Sequence, residues 1–156
     1  MRLHGKNGSE LEMRPIRYRW PDARDDPWDA NALLVDVRIV SDRGAWHVED
    51  PCLTTFEARR LARWLAAVAV GEARASAAGF VEPNVEVQVL AITPFRVQLQ
   101  ATVELESRPP WLVSSGPGAG DLVVELDIDR SSLIDAARDL ADELRDFPLR
   151  ANDPTL

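Results

Sequence analysis

Cys52 stands just ahead of a helical pattern, with His47 across a turn from it. A thiol at a helix N-terminus can be activated as the thiolate, and His47 is the base such a nucleophile would need. The same cysteine also reads as a small buried side chain. His4 is the other histidine and lies far away in sequence. Two histidines and one cysteine are too few for a transition-metal site. Glu104, Glu106, Glu125 and Asp127 fall on strand patterns that could share one exposed face, and such oxygens suit hard cations, but their spacing matches no calcium loop. The glycines of Ser114-Ser115-Gly116-Pro117-Gly118-Ala119-Gly120 fit neither phosphate-binding pattern. No carboxylate pair stands out for acid–base work. The chain reads as non-catalytic, without a cofactor or a metal.

Chemistry of recognition is easier to find. Pro21 to Ala30 carries four aspartates and two prolines, with Trp28 in its middle. Trp28 reads either as a lid folded back on the core or as an anchor for a partner, flanked by Asp25, Asp26 and Asp29. Near the C-terminus, Asp135, Asp139, Asp142 and Asp146 repeat at helical spacing. They follow the apolar series Leu133, Ala137, Leu140, Leu144 and Phe147 two residues later, about 200° around a helix, so they form a ridge opposite the apolar seam. Such a ridge is either a solvated face or a surface for a basic protein. Residues 121–147 hold nine acids and three bases.

These groups need elements to hold them. Thr54 and Glu57 have capping-box spacing. Leu61, Trp64, Leu65 and Val68 then make one helical face, and Gly71 is a fitting stop. Pro51 keeps Asp50 extended, so a strand should end at Asp50. Arg2-Leu3-His4 is a short strand before an Asn-Gly turn. Leu11 and Met13 alternate with polar residues, and after Pro15 the phase moves to Ile16, Tyr18 and Trp20, as at a bulge or a proline-tolerant edge. Residues 21–30 read as a loop. Residues 31–50 read as a hairpin turning at Ser41-Asp42-Arg43-Gly44, with Trp46 and Val48 inward. Glu72 to Gly79 reads as a loose connection, and Phe80 to Asn84 as a short extended piece and turn. Val85, Val87 and Val89 alternate up to a break at Thr93-Pro94. The alternation from Phe95 to Leu105 is the cleanest in the chain and marks an antiparallel sheet with one wet face. A loop runs from Arg108-Pro109-Pro110-Trp111 to Gly120. Leu122 to Ile128 gives another strand, and a last helix starts at Ser131 or Ser132 and stops at Pro148.

The 156 residues suit one domain with a real core. Apolar residues at 46% and charged residues at 28% fit a globular protein. No apolar run approaches the roughly 20 residues of a membrane span, and no secretory signal pattern opens the chain. A lone cysteine excludes an internal disulfide and makes a cytoplasmic protein the default expectation. The net charge of −8 argues against nucleic acid and suits a basic protein partner. The expected fold is therefore α+β: a single domain over residues 1–150, with a curved antiparallel sheet of about six to eight strands packing two helices. A flexible tail follows over residues 151–156.

Several stretches then recur in a familiar order. They are Asp25-Asp26-Pro27-Trp28-Asp29 with Leu33-Leu34-Val35, and Asp50-Pro51-Cys52-Leu53-Thr54-Thr55-Phe56-Glu57 with Trp64-Leu65. Phe80-Val81-Glu82-Pro83-Asn84 and Arg108-Pro109-Pro110-Trp111 complete the set. From about residue 8 to Arg150 they resemble the WapI-like family of small bacterial immunity proteins. The resemblance implies a binding protein that neutralises a cognate toxin domain of a polymorphic toxin system, acting in the cytoplasm as a monomer or weak homodimer. Its contact residues would be Asp25, Asp26, Trp28 and Asp29 in the loop, or Asp135, Asp139, Asp142 and Asp146 on the last helix. The alternative is a small-molecule-binding or regulatory domain, with a pocket between sheet and helix near Trp46, Trp64 and Trp111.

Overall fold

Four strands alternate between buried and exposed side chains and then hand over directly to a helix, and the chain does this twice. We describe a computed structural model covering residues 1–73, 77–82, 84–113 and 120–156, without the side chains of Glu106 and Val113. Residues 74–76, Pro83 and residues 114–119 lie outside the described residues. Parts of the expected 72–79 connection, the 80–84 turn and the 114–120 loop lie there with them.

The first half contains β1 (Arg2–His4), β2 (Glu10–Tyr18), a short helix α1 (Pro27–Asn31), β3 (Ala32–Ser41), β4 (Gly44–Thr54) and α2 (Thr55–Val70). The second contains β5 (Ala77–Ala78), β6 (Val85–Ile92), β7 (Arg96–Val103), a 3-10 turn (Leu105–Ser107), α3 (Pro110–Val113), β8 (Leu122–Asp129) and α4 (Arg130–Glu143). The strands form two four-stranded antiparallel sheets, β1-β2-β3-β4 and β5-β6-β7-β8. The α+β class stands, but the expected single curved sheet divides in two. The sheets meet where the Gly5–Asn7 turn docks on β8: the Lys6 N–H donates to the Asp127 carbonyl at 2.8 Å, and Asn7 Nδ2 to the Glu125 carbonyl at 2.8 Å. Gly5 is required there, because a Cβ would lie 3.3 Å from the Leu126 Cα and 3.1 Å from the Asp127 nitrogen.

The helices α2 and α4 pack along each other. One cluster of buried side chains runs through both sheets and both helices, from Leu11, Val37 and Leu65 to Leu99, Leu126 and Leu140. The Arg130 guanidinium fastens the two halves, donating from Nε to the Ala69 carbonyl at the end of α2 at 2.5 Å. It also reaches the carbonyls of Thr93 and Pro94 in the β6–β7 turn.

Several expectations shift. β4 runs through Pro51 to Thr54, because it is the edge strand of its sheet, where a missing N–H is tolerated. Its register slips between the Leu33–Leu53 and Val35–Asp50 pairs, a bulge around Pro51 and Cys52. The bulge expected near Pro15 is present between Pro15 and Arg17, and it leaves Tyr18 buried but turns Ile16 and Trp20 outward. Residues 27–31 are helical, not loop, because Asp26 caps a turn that opens on proline. Phe95 is not the start of an inward series: it lies in the β6–β7 turn, 80% exposed. α4 begins at Arg130, one residue before Ser131, with no side-chain cap. It ends at Glu143, so Phe147 leaves the helical seam and meets Tyr18 edge to face at 5.6 Å.

Candidate partner-binding site

The loop that carries Trp28 and the stretch that launches α2 converge. Asp26 Oδ1 accepts from the Trp28 N–H at 2.8 Å and the Asp29 N–H at 3.0 Å, which fixes the α1 turn. Asn31, buried at the other end of α1, donates to the carbonyls of Pro27 and Ala151 and accepts from the Arg150 N–H. With its backbone held at both ends, Trp28 packs its ring edge to face on Phe56 of α2, with centroids 5.0 Å apart. Phe56 is buried, and the Arg60 guanidinium lies 5.3 Å above its ring.

Beneath this pair lies the capping box expected from Thr54 and Glu57. The Glu57 N–H donates to Thr54 Oγ at 3.3 Å, and Glu57 Oε2 accepts from the Thr54 N–H and hydroxyl, both at 2.8 Å. Glu57 is 2% exposed, and its other oxygen accepts from the Val81 N–H at 2.8 Å. The cap therefore also pins the 80–82 segment against the start of α2. At the far end, Gly71 closes α2 with φ at 82°, the left-handed conformation that glycine enters freely.

The result is a small cavity of about 120 Å³ between Trp20, Trp28, Asp29, Val81 and Glu82, floored by Thr54 and Glu57. Trp20 is 48% and Val81 61% exposed, and Trp28 is half-buried. Arg19 lies over the Trp20 ring at 5.0 Å. Exposed aromatic and aliphatic side chains beside carboxylates can anchor a partner chain. A hollow this size is too small for a typical ligand pocket of some 300 Å³ or more. Asp25, Asp26 and Asp29 are all exposed, but only Asp29 lines the cavity. Trp28 packs on Phe56 as the lid reading expects, and it also lines the cavity.

The second group lies on α4. Leu133, Ala137, Leu140 and Leu144 are buried, and Asp135, Asp139, Asp142 and Asp146 are exposed. Asp135 pairs with Arg138 at 3.0 Å and Asp142 with Arg145 at 2.8 Å, both at the solvent surface. Asp139 and Asp142 border a shallow hollow with Met1, Arg2, Glu12 and Glu143. The loop aspartates and the ridge line no common cavity among the described residues.

The residues that suggested catalysis are not brought together. Cys52 is fully buried, while His47 is exposed. Burial, and after it the Asp50 charge, push the Cys52 thiol up, away from the reactive thiolate. Asp127 pairs with Arg96 at 2.6 Å, Glu125 lies opposite Gln100, and Glu104 lies beyond the ladder. The Glu106 side chain is outside the described residues. Among the described residues no three His, Cys, Asp or Glu side chains are grouped to hold a metal ion. Trp46 and Trp111 meet edge to face at 5.3 Å, and Trp64 is half-buried on α2.

Sequence reasoning missed a buried polar knot. Asp50, 2% exposed, accepts from Asn84 Nδ2 at 2.8 and 2.9 Å and from the Ser107 hydroxyl at 2.9 Å. Trp46 Nε1 donates to the Ser107 carbonyl at 3.2 Å. The knot joins β4 of the first half to two segments of the second. Its residues are far apart in sequence, and no local pattern marks them.

The sequence model of the Immunity protein WapI-like family matches residues 2–148. No curated protein and no solved structure matches the chain.

Proposed function

This chain belongs to the WapI-like immunity protein family, and from that membership we propose that it works by binding a toxin domain and occluding its active site. The observation that carries the reading is the family match over nearly the whole chain, joined to two acidic exposed surfaces. The partner is a basic protein domain, met in the cytoplasm by a monomer or weak homodimer. Trp28 and Trp20 supply apolar anchors, Asp29 lies beside them, and Asp25 and Asp26 lead into the same α1 turn. The ridge at Asp135, Asp139, Asp142 and Asp146 supplies long-range attraction, which speeds encounter and weakens as salt screens it. No catalytic step is assigned. Among the described residues no helix is long and apolar enough to cross a membrane.

The test is co-purification of the tagged protein from native extract at low and high salt, read by mass spectrometry. Growth rescue of cells producing the captured domain follows. A basic toxin domain, held at low salt, partly released at high salt and made harmless by co-expression, is the expected result. Reversal to lysine at Asp139 and Asp146 should slow association without unfolding the protein. Unchanged association would remove the ridge from the interface, and the absence of any protein partner would sink the neutralising role.

A further inference from the structure

One furrow in the helix layer is lined by basic side chains alone, although the chain as a whole is acidic. Between α2 and α4 runs an open groove of about 480 Å³. Its floor is Ala62, Ala66, Ala137 and Ala141, with Ile134 and Leu144, and its rim is Arg59, Arg63, Arg138 and Arg145. No carboxylate lines it among the described residues. The alanines explain the furrow, because two helices in contact with methyl side chains along one flank leave space above them. The arginines follow from spacing: Arg59 and Arg63, like Arg138 and Arg145, lie one or two turns apart and share a face.

From this geometry we propose that the α2–α4 groove docks an amphipathic helix of a partner protein, with apolar side chains on its inner face and carboxylates along both flanks. Charge complementarity carries the assignment. In a chain of net charge −8, four arginines surround one apolar furrow. Arg59 and Arg63 have no ion-pair partner among the described residues. Among the described residues Arg138 pairs only with Asp135 of α4, and Arg145, just past the end of α4, only with Asp142. Such exposed pairs contribute little and exchange readily for a partner's carboxylate. The lining spans Arg59 to Ala66 on α2 and Ile134 to Ala141 on α4, with Leu144 and Arg145 just past its end, a length of roughly 10–16 Å, which seats two to three turns of helix.

A second copy of this chain fits less well. It would offer the groove either its own arginine rim, which repels, or the aspartate ridge of α4. The ridge has no apolar side chains to fill the floor, because the apolar seam of α4 is buried in its own core. The groove shares no lining residue with the Trp28 cavity and borders the aspartate ridge through the Arg138 and Arg145 pairs, and the peptide test reads it without any toxin.

The probe is a fluorescein-labelled synthetic helix of about 14 residues, with leucines at helical spacing and glutamates on both flanks. A counterpart carries lysines instead. Fluorescence anisotropy at low salt should show the glutamate peptide binding at least about tenfold tighter than the lysine peptide. Arg59→Glu with Arg63→Glu should weaken it by about tenfold or more, with the circular dichroism unchanged. If the double reversal does not fold, Arg63→Ala and the groove-filling Ala141→Leu make the same comparison. Equal affinity for the two peptides, or binding indifferent to these variants, overturns the proposal. So does a concentration-dependent dimer in sedimentation velocity that Arg63→Glu abolishes, since the occupant is then a second copy. Binding to anionic phosphatidylserine vesicles without binding to the peptide overturns it as well.

Discussion

Removal of the Glu57 carboxylate tests the capping box and the cavity above it together. In Glu57→Ala the Thr54 N–H, buried beneath Trp28, loses its acceptor. A buried donor left without a partner costs about 1–3 kcal/mol. The reciprocal cap adds about 0.5–2 kcal/mol. The Val81 N–H also loses its acceptor, but Val81 is exposed and water can replace it. Some of the loss is recovered, because a buried carboxylate no longer has to be desolvated. The expected net destabilisation is about 2–4 kcal/mol, or a fall in Tm of about 5–15 °C for a chain of this length. Urea unfolding followed by tryptophan fluorescence measures it, and Trp28 and Trp20 report the opened cavity in the same experiment. Glu57→Gln should lose about half as much, since its carbonyl oxygen still accepts. Thr54→Ala and Glu57→Ala should be non-additive by about 0.5–3 kcal/mol, because each removes the other's partner. A loss below about 0.5 kcal/mol for Glu57→Ala, or strict additivity with Thr54→Ala, would refute the reasoning.

Three further expectations use other parts of the structure. Asp50→Ala leaves the Asn84 amide and the Ser107 hydroxyl without an acceptor inside the protein, and should cost about 2–4 kcal/mol in urea unfolding; a near-neutral result would mean the knot does not hold the halves together. Burial alone would push the Glu10 carboxyl up, but the hydrogen bonds and charges of Arg2 and His4 outweigh it and hold the group below its ordinary value. Its contribution is therefore complete above about pH 5 and fades as pH falls through the folded-state value. Glu10→Gln should flatten the acid limb of the stability–pH curve, and an unchanged limb would show that solvent screens the cluster. Cys52, buried with its thiol pushed up, should resist a thiol reagent such as dithionitrobenzoate until the protein unfolds. Fast reaction of the folded protein would reverse that assignment.

Local patterns were legible where one local force decides the outcome. The alternation in β7 and β8 follows from one buried and one wet face, and Thr54, Glu57 and Gly71 carry the ends of α2 in their own chemistry. The division into two sheets was not legible, because alternation says which face is buried and not which edge pairs. The sheets meet where Gly5 to Asn7 docks on Asp127 and Glu125, through the Lys6 backbone N–H, the Asn7 side-chain amide and the lack of a Cβ at Gly5, and no local pattern announces that meeting. The start of α4 at Arg130 is likewise a tertiary decision. Its guanidinium binds the Ala69 carbonyl on α2, so the first turn is held by the neighbouring helix instead of by Ser131 or Ser132. The α1 turn was legible in principle, since Asp26-Pro27 is a cap followed by a first-turn proline, but the surrounding aspartates and Pro21 favoured a loop.

The candidate sites divide along the same line. The ridge needed only helical spacing, and Asp135, Asp139 and Asp142 lie on α4 as that spacing puts them, while Asp146 falls past its end at Glu143. The Trp28 cavity needed four separate segments, and in the sequence only Trp28 and Asp29 marked it as a site. Trp20 was assigned to the buried face because the consequence of the bulge at Pro15–Arg17 for the next residues depends on the β2–β3 register. The arginine-rimmed groove is the extreme case. Each half of it is a pair of arginines one or two turns apart, which marks nothing by itself, and the site exists only because α2 and α4 lie side by side, each following its own four-stranded sheet. A repeated strand-to-helix design thus brings together two helices from distant parts of the chain. Their facing alanines and flanking arginines then combine into a surface that neither helix presents alone.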